Sequence, residues 1–240
     1  MSVLISGKRG VTSLLGMIIT FWAIFFIVLP QISSGANPFL IILLFSAISI
    51  PINFYLSHGV NNKTTAAILG TFVSLLITIV LAMFFVDYAK LSGLTSDETQ
   101  FLQIVKGVSF NMKGILLAGI IIGIVGILDD VTVSQSAVVF ELQKANKDLN
   151  FIELFSRAME VGKDHISSLI NTLVLVYAGA SMPLLLLFMD SSKMFSDVIN
   201  YEIVASEIVR TLIGSIGLVI AVPITTFVAS IYAELKNEFF

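Results

Sequence analysis

Apolar and polar positions follow one another along this chain in long blocks rather than in the short periods of a soluble fold. Between Gly10 and Asn62 no Asp, Glu, Lys or Arg occurs, and uncharged runs return over 64–86, 114–128, 165–189 and 211–233. A helix needs about 20 apolar residues to cross about 30 Å of hydrocarbon. The runs divide into six such segments, because residues 30–38 interrupt the first with two prolines, a glycine and polar side chains. The expected spans are 11–29, 39–56, 64–86, 114–138, 168–189 and 211–232. The expected fold is therefore all-α: one transmembrane domain over residues 1–240, an integral membrane bundle of six helices.

The polar blocks between these spans are short. Over 140–162, Leu142, Ala145, Leu149, Ile152, Phe155 and Met159 lie among charged residues as an approximate helical stripe. That pattern predicts an amphipathic helix lying along the cytoplasmic face after the fourth span. Residues 196–210 are a weaker helix candidate on the other side, and 87–113 reads as a loop.

Composition agrees with the pattern. The chain is 57% hydrophobic and only 12% charged, against about 25% charged for a soluble domain. A net charge of −3 without a basic tract leaves no footprint for nucleic acid. With no cysteine and only His58 and His165, thiol catalysis, thiolate zinc and a histidine-rich metal site are out of reach. Neither a phosphate-binding loop nor a nucleophile elbow occurs, so no enzyme activity, metal or cofactor is expected.

Lys and Arg set the expected orientation. With the N-terminus inside, Lys8, Arg9, Lys63, Lys144, Lys147, Arg157, Lys163 and Lys236 are cytoplasmic and Lys90, Lys106, Lys113, Lys193 and Arg210 are outside, a split of 8 to 5. Both termini are then cytoplasmic. The apolar run after Lys8-Arg9 is longer than the 7–15 or so residues of a signal-peptide core, so a retained first helix is expected.

Candidate chemistry concentrates in the fourth span. Asp129 and Asp130 interrupt an otherwise apolar helix, and an acid at the bilayer centre costs about 2.5–3.5 kcal/mol on insertion scales. At about 100° per residue, Gly119, Gly123, Gly126, Asp130, Ser134, Ala137 and Glu141 form one stripe of small and polar side chains. Such a stripe must face protein or water, and its glycines permit close helix approach. Adjacent carboxylates in a low-dielectric setting compete for ionisation, so the pair is a candidate for binding and releasing a proton or small cation. The alternative is a helix that ends near Leu128 and leaves both acids at its wet cytoplasmic edge. In the fifth span Ser168, Thr172, Gly179 and Pro183 share a face flanked by Asn171, which offers polar partners to Asp130 or serves as ordinary interhelical glue. Gly214, in the last span, is expected to serve packing.

The segment from Gly126 to Glu141, followed by that from Asn171 to Leu186, resembles the YibE/F family of bacterial multi-pass membrane proteins. The first motif of that family reads Gly, three residues, Asp-Val, with Ser four and Glu eleven residues after the Asp. Here those positions are Gly126, Asp130, Val131, Ser134 and Glu141. Asp129 stands where the family is commonly apolar, so the resemblance backs Asp130 as the acid. It implies a protein of the bacterial cell membrane. The chain is also more loosely similar to the membrane half of the resistance-nodulation-division and SecD/SecF transporters, whose fourth helix carries an acidic motif and whose fifth supplies Ser, Thr or Asn. Those transporters insert a large domain between the first two spans, where this chain has only residues 30–38. That similarity implies a partner in the bilayer, either a second copy or a related membrane subunit, acting on an unidentified small solute or ion. The reading is a transport or energy-coupling subunit, and the competing one is a non-transporting scaffold or assembly subunit of a larger complex.

Overall fold

A computed structural model describes residues 7–106, 110–189 and 194–237 and is helical along nearly all of them. The first helix, α1 (Lys8–Ala23), passes through a π-helical turn at Ile24–Val28 into α2 (Leu29–Ser33). Pro30 lacks the N–H that an α-helix would give back to the preceding turn, which accounts for the irregularity there. The other helices are α3 (Pro38–His58), α4 (Asn62–Tyr88), α5 (Asp97–Lys106), α6 (Met112–Ala145), α7 (Phe151–Ala180), α8 (Met182–Met189), α9 (Phe195–Ile199) and α10 (Glu202–Asn237).

Asparagine side chains start four of the long helices. Asn37, Asn61, Asn111 and Asn150 accept backbone N–H groups of Phe39, Thr64, Gly114 and Glu153, and Glu153 reaches back to complete a capping box. Among the described residues, five helices are long and apolar enough to cross a membrane: Gly10–Ser33, Pro38–His58, Asn62–Tyr88, Met112–Ala145 and Glu202–Glu234. The expected fifth span, 168–189, is divided between α7 and α8 at Ser181.

The centre of the bundle is the trio α4, α6 and α10, with α3 against α6, α7 against α10 and α6, and α1 on the outside against α3. Its core includes Ile79, Ile121, Leu128, Val131, Leu218 and Val222. Lys63, Lys144, Lys147, Arg157 and Lys163 lie toward the base, the end at which α1 begins and α10 finishes. Lys90, Lys106, Lys113 and Arg210 lie toward the opposite crown. The side chains of Lys8, Arg9 and Lys236, and all of Lys193, lie outside the described residues.

Two expected elements differ. No separate helix lies along the surface over 140–162. Residues up to Ala145 extend α6, Asn146 to Asn150 form a turn, and everything from Phe151 continues into α7. The segment stands upright because a core at the base packs Leu154 and Ala158 with Val139, Ala66, Ala229 and Ala233; of the expected stripe only Leu149 is buried there, and Ala145 and Ile152 are exposed. At the crown, the expected loop 87–113 contains α5, with Asp97 and Glu98 in its first turn and Lys106 in its last, as the helix dipole favours. The Ser96 side chain hydrogen-bonds Glu98 and holds its carboxyl below the ordinary value. The weaker candidate, 196–210, divides at Tyr201, and its second part is the start of α10.

Crown contacts tie the loops down. Glu202 accepts from Ser92 N, Ser92 Oγ and Gly93 N at 2.6–3.0 Å. Gly93 has φ +87°, and any Cβ would strike the Met112 carbonyl, so only glycine fits this turn. Lys113 pairs with Asp87.

Candidate functional site

Both acids lie well inside α6. The Ser136 hydroxyl donates to the Lys63 carbonyl at 2.8 Å, which marks the level at which α4 begins. Asp129 is seven residues, or about 10 Å, further into the bundle. The helix does not end near Leu128: its next residues, Val131, Thr132, Gln135 and Ser136, are buried against neighbouring helices and carry it on to Ala145. Adjacent helical residues point about 100° apart, so the two carboxylates part company. Asp129 is half-buried and faces inward, whereas Asp130 is exposed.

Asp129 lines a cavity of about 380 Å³ between α1, α3 and α6. From α3 come Ser46, Ser49, Asn53 and Ser57, and from α1 Ser13 and Thr20. That volume holds about a dozen waters at ~30 Å³ each. Asn53 Nδ2 donates to Thr20 Oγ1 at 2.8 Å, and the Thr20 hydroxyl donates to the Gly16 carbonyl at 2.9 Å. Gly16 is buried here, and a Cβ on it would lie 2.9 Å from Asn53 Oδ1, so the absence of a side chain is what lets α1 approach. Asn53 Oδ1 is buried and has no hydrogen-bond partner among the described residues. The cavity thus combines one carboxylate and several hydroxyls with an apolar wall that includes Met17, Phe21, Phe45 and Phe54, while Asn53 Oδ1 is shut into the α1–α3 interface against Gly16.

The expected stripe faces outward. Gly119, Gly126, Asp130, Ser134 and Glu141 are exposed. A Cβ on Gly119 or Gly126 would meet nothing within 4 Å, and one on Gly123 only the Tyr177 hydroxyl at 3.6 Å. On α7, Ser168, Asn171, Thr172 and Gly179 are exposed too. The approaches of Gly123 to Tyr177 and of Gly162 to Gln135 bracket Asp130 on one helix and Ser168, Asn171 and Thr172 on the other, so they share a depth. No hydrogen bond joins them among the described residues. Thr172 instead donates to its own helix at the Ser168 carbonyl. Gly214 does pack, its Cβ position lying 3.2 Å from Ile127.

A buried polar seam runs through the central trio and was not among the expected features. Thr71 and Thr132 share a hydroxyl hydrogen bond of 2.7 Å, and Gln135 Nε2 donates to the Ala158 carbonyl at 2.9 Å and to Thr226 Oγ1 at 2.7 Å. Gly70 and Gly217 let Thr225 and Thr78 come close. Hydroxyls and small residues at such contacts are the usual glue between membrane helices. The cavity residues carried a legible signal: Ser46, Ser49, Asn53 and Ser57 recur every three or four positions of an uncharged run, the mark of a polar face on a membrane helix.

Residues 1–235 match the YibE/F-like protein family. The chain belongs to that family. The match reaches well beyond the segments from Gly126 to Glu141 and Asn171 to Leu186, so α1 and α3, which enclose Asp129, are part of the same YibE/F-like unit. In this YibE/F-like protein the motif positions Asp130, Ser134 and Glu141 line the open face of α6, while Gly126 and Asp129 border the cavity. No curated protein and no solved structure matches the chain.

Proposed function

We propose that this YibE/F-like membrane protein is a transport or energy-coupling subunit of the bacterial cell membrane, with its base toward the cytoplasm. The acids of α6 bind and release a proton or small cation. One observation carries the reading: the Asp129 carboxylate, well inside α6, opens on a cavity of about 380 Å³ into which α1 and α3 bring hydroxyls. A carboxylate kept at such depth costs free energy that a purely apolar helix would not incur, and water or a bound ion in the cavity offsets that cost. Asp129 holds the ion, and Thr20 and the α3 serines complete its oxygen shell. No covalent step and no cofactor enters.

The outward stripe favours a further element of the proposal. Asp130, with Ser134 beside it, is exposed at bilayer depth, where lipid covers polar groups poorly. A second copy or a related membrane subunit covers this face of α6, with Ser168, Asn171 and Thr172 on the same side. Were that face the whole function, the protein would be an assembly scaffold.

Ion uptake into proteoliposomes under imposed proton, Na⁺ and K⁺ gradients separates the two. Transport predicts uptake by the wild type that Asp129→Asn abolishes while abundance and monodispersity in detergent hold. Absence of uptake under every gradient, with lost association in Asp130→Asn, would leave only the scaffold.

A further inference from the structure

The cavity that holds Asp129 does not stand alone. Toward the crown it adjoins a second chamber of about 360 Å³, and the two share Ile24 and Ile122. Ile24 opens the π-helical turn of the first helix, so the irregular backbone lies where the chambers meet, and π-turns inside helices often mark functional sites. Together the chambers form a groove between the first helix and α6, which are held apart because α1 packs chiefly on α3.

The two chambers differ in chemistry. The base chamber has one ionisable group, Asp129, and hydroxyls such as Ser13, Ser49 and Ser57 set in an otherwise apolar wall. The crown chamber is walled mainly by apolar groups, among them Val28, Ile42, Ala118 and Ile122, where water finds too few polar partners to be held. A bare hydrated ion suits the first chamber and not the second. A molecule with a positive charge at one end and an apolar body at the other suits both. The reverse polarity fits less well, because the amine at the crown mouth, Lys106, is already engaged by the Ser33 carbonyl and hydroxyl at 3.0 and 2.6 Å. At the base end no cation or hydrogen-bond donor engages the Asp129 carboxylate among the described residues.

We propose that this groove binds a lipophilic organic cation, with its charge at Asp129 and its apolar body against Val28, Ile42 and Ile122. The inference rests on the reading of Asp129 as the ion-handling acid and names the class of solute it serves. Ile122 and Gly119 are exposed at the groove's edge, so such a solute enters sideways from the bilayer, where it partitions on its own.

The test is equilibrium binding of radiolabelled tetraphenylphosphonium to the full chain in nanodiscs of neutral lipid. Tetraphenylborate serves as the anion of the same shape. The wild type binds the cation saturably and not the anion. Asp129→Asn weakens binding by roughly tenfold or more, the loss of one ion pair at low dielectric. Gly119→Phe, at a chamber-lining position where an added Cβ meets nothing within 4 Å, narrows the apolar chamber and weakens binding similarly, with monodispersity in detergent checked beside it. Saturable binding of the anion, or cation binding indifferent to Asp129→Asn, overturns the proposal. Asp129-dependent ion uptake without cation binding overturns it alone, whereas loss of both also removes the function on which it rests.

Discussion

Asn53 donates to Thr20 Oγ1 across the α1–α3 interface at 2.8 Å, beside the cavity that Asp129 enters, and leaves its own buried Oδ1 unpaired. One such bond between membrane helices is worth about 0.6 kcal/mol on average. Asn53→Leu therefore lowers stability in detergent by less than about 1 kcal/mol, but makes one position of the cavity wall apolar. Thermal unfolding should shift little while ion uptake falls sharply. A large loss of stability with normal uptake would make Asn53 a packing residue.

Glycines in the core and at exposed positions should answer differently to the same change. A Cβ on Gly70 would strike Thr225 Oγ1 and lie 3.0 Å from the Thr225 backbone, so Gly70→Ala costs about 1–3 kcal/mol, as overpacking does. Gly126→Ala meets nothing within 4 Å and should leave unfolding of the isolated chain unchanged. If a partner covers the face that bears Asp130, Ser134→Leu, at an exposed position, weakens association measured by crosslinking in membranes without altering unfolding of the monomer.

At the crown, Glu202→Ala strips Ser92 and Gly93 of the carboxylate that accepts their three donors. Hydrogen bonds to a charged group contribute about 1.5–3 kcal/mol, so the α4–α5 loop loosens. Amide hydrogen exchange at Ser92 and Gly93 should accelerate, with exchange in α6 unaffected.

The spans were legible because their cause is local: uncharged runs of sufficient length, closed by Asn caps and by Pro and Gly. Less legible was where a helix continues beyond the hydrocarbon. Lys163 and Asp164 resemble a boundary, yet α7 passes straight through them, because Leu154, Ala158 and Gly162 are buried against α6 and α10 on one continuous face. That burial is a tertiary fact. Helix α5 was hidden for a related reason, since Phe101, Ile104 and Val105 are exposed and no apolar periodicity against a protein core announces it.

At the candidate site, sequence reasoning found the two acids and the stripe that bears Asp130. It could not tell which acid meets a cavity, because a step of one residue turns a side chain by about 100° and only the positions of α1 and α3 decide what each direction faces. Asn53 and the α3 serines had the helical spacing that would have exposed them, but no charge to draw attention.

Cysteine accessibility tests the central claim most directly, because the chain has no cysteine of its own. Asp129→Cys would be probed in intact vesicles with a membrane-impermeant maleimide, with Ser57→Cys from the same cavity as positive control and the buried Leu75→Cys as negative control. Asp129→Cys should label from the base side, as Ser57→Cys does, and bound lipophilic cation should slow the labelling of Ser57→Cys, which keeps the Asp129 carboxylate. Labelling of Ser57→Cys with Asp129→Cys silent from both sides would contradict that claim, for the acid would then lie outside any aqueous route.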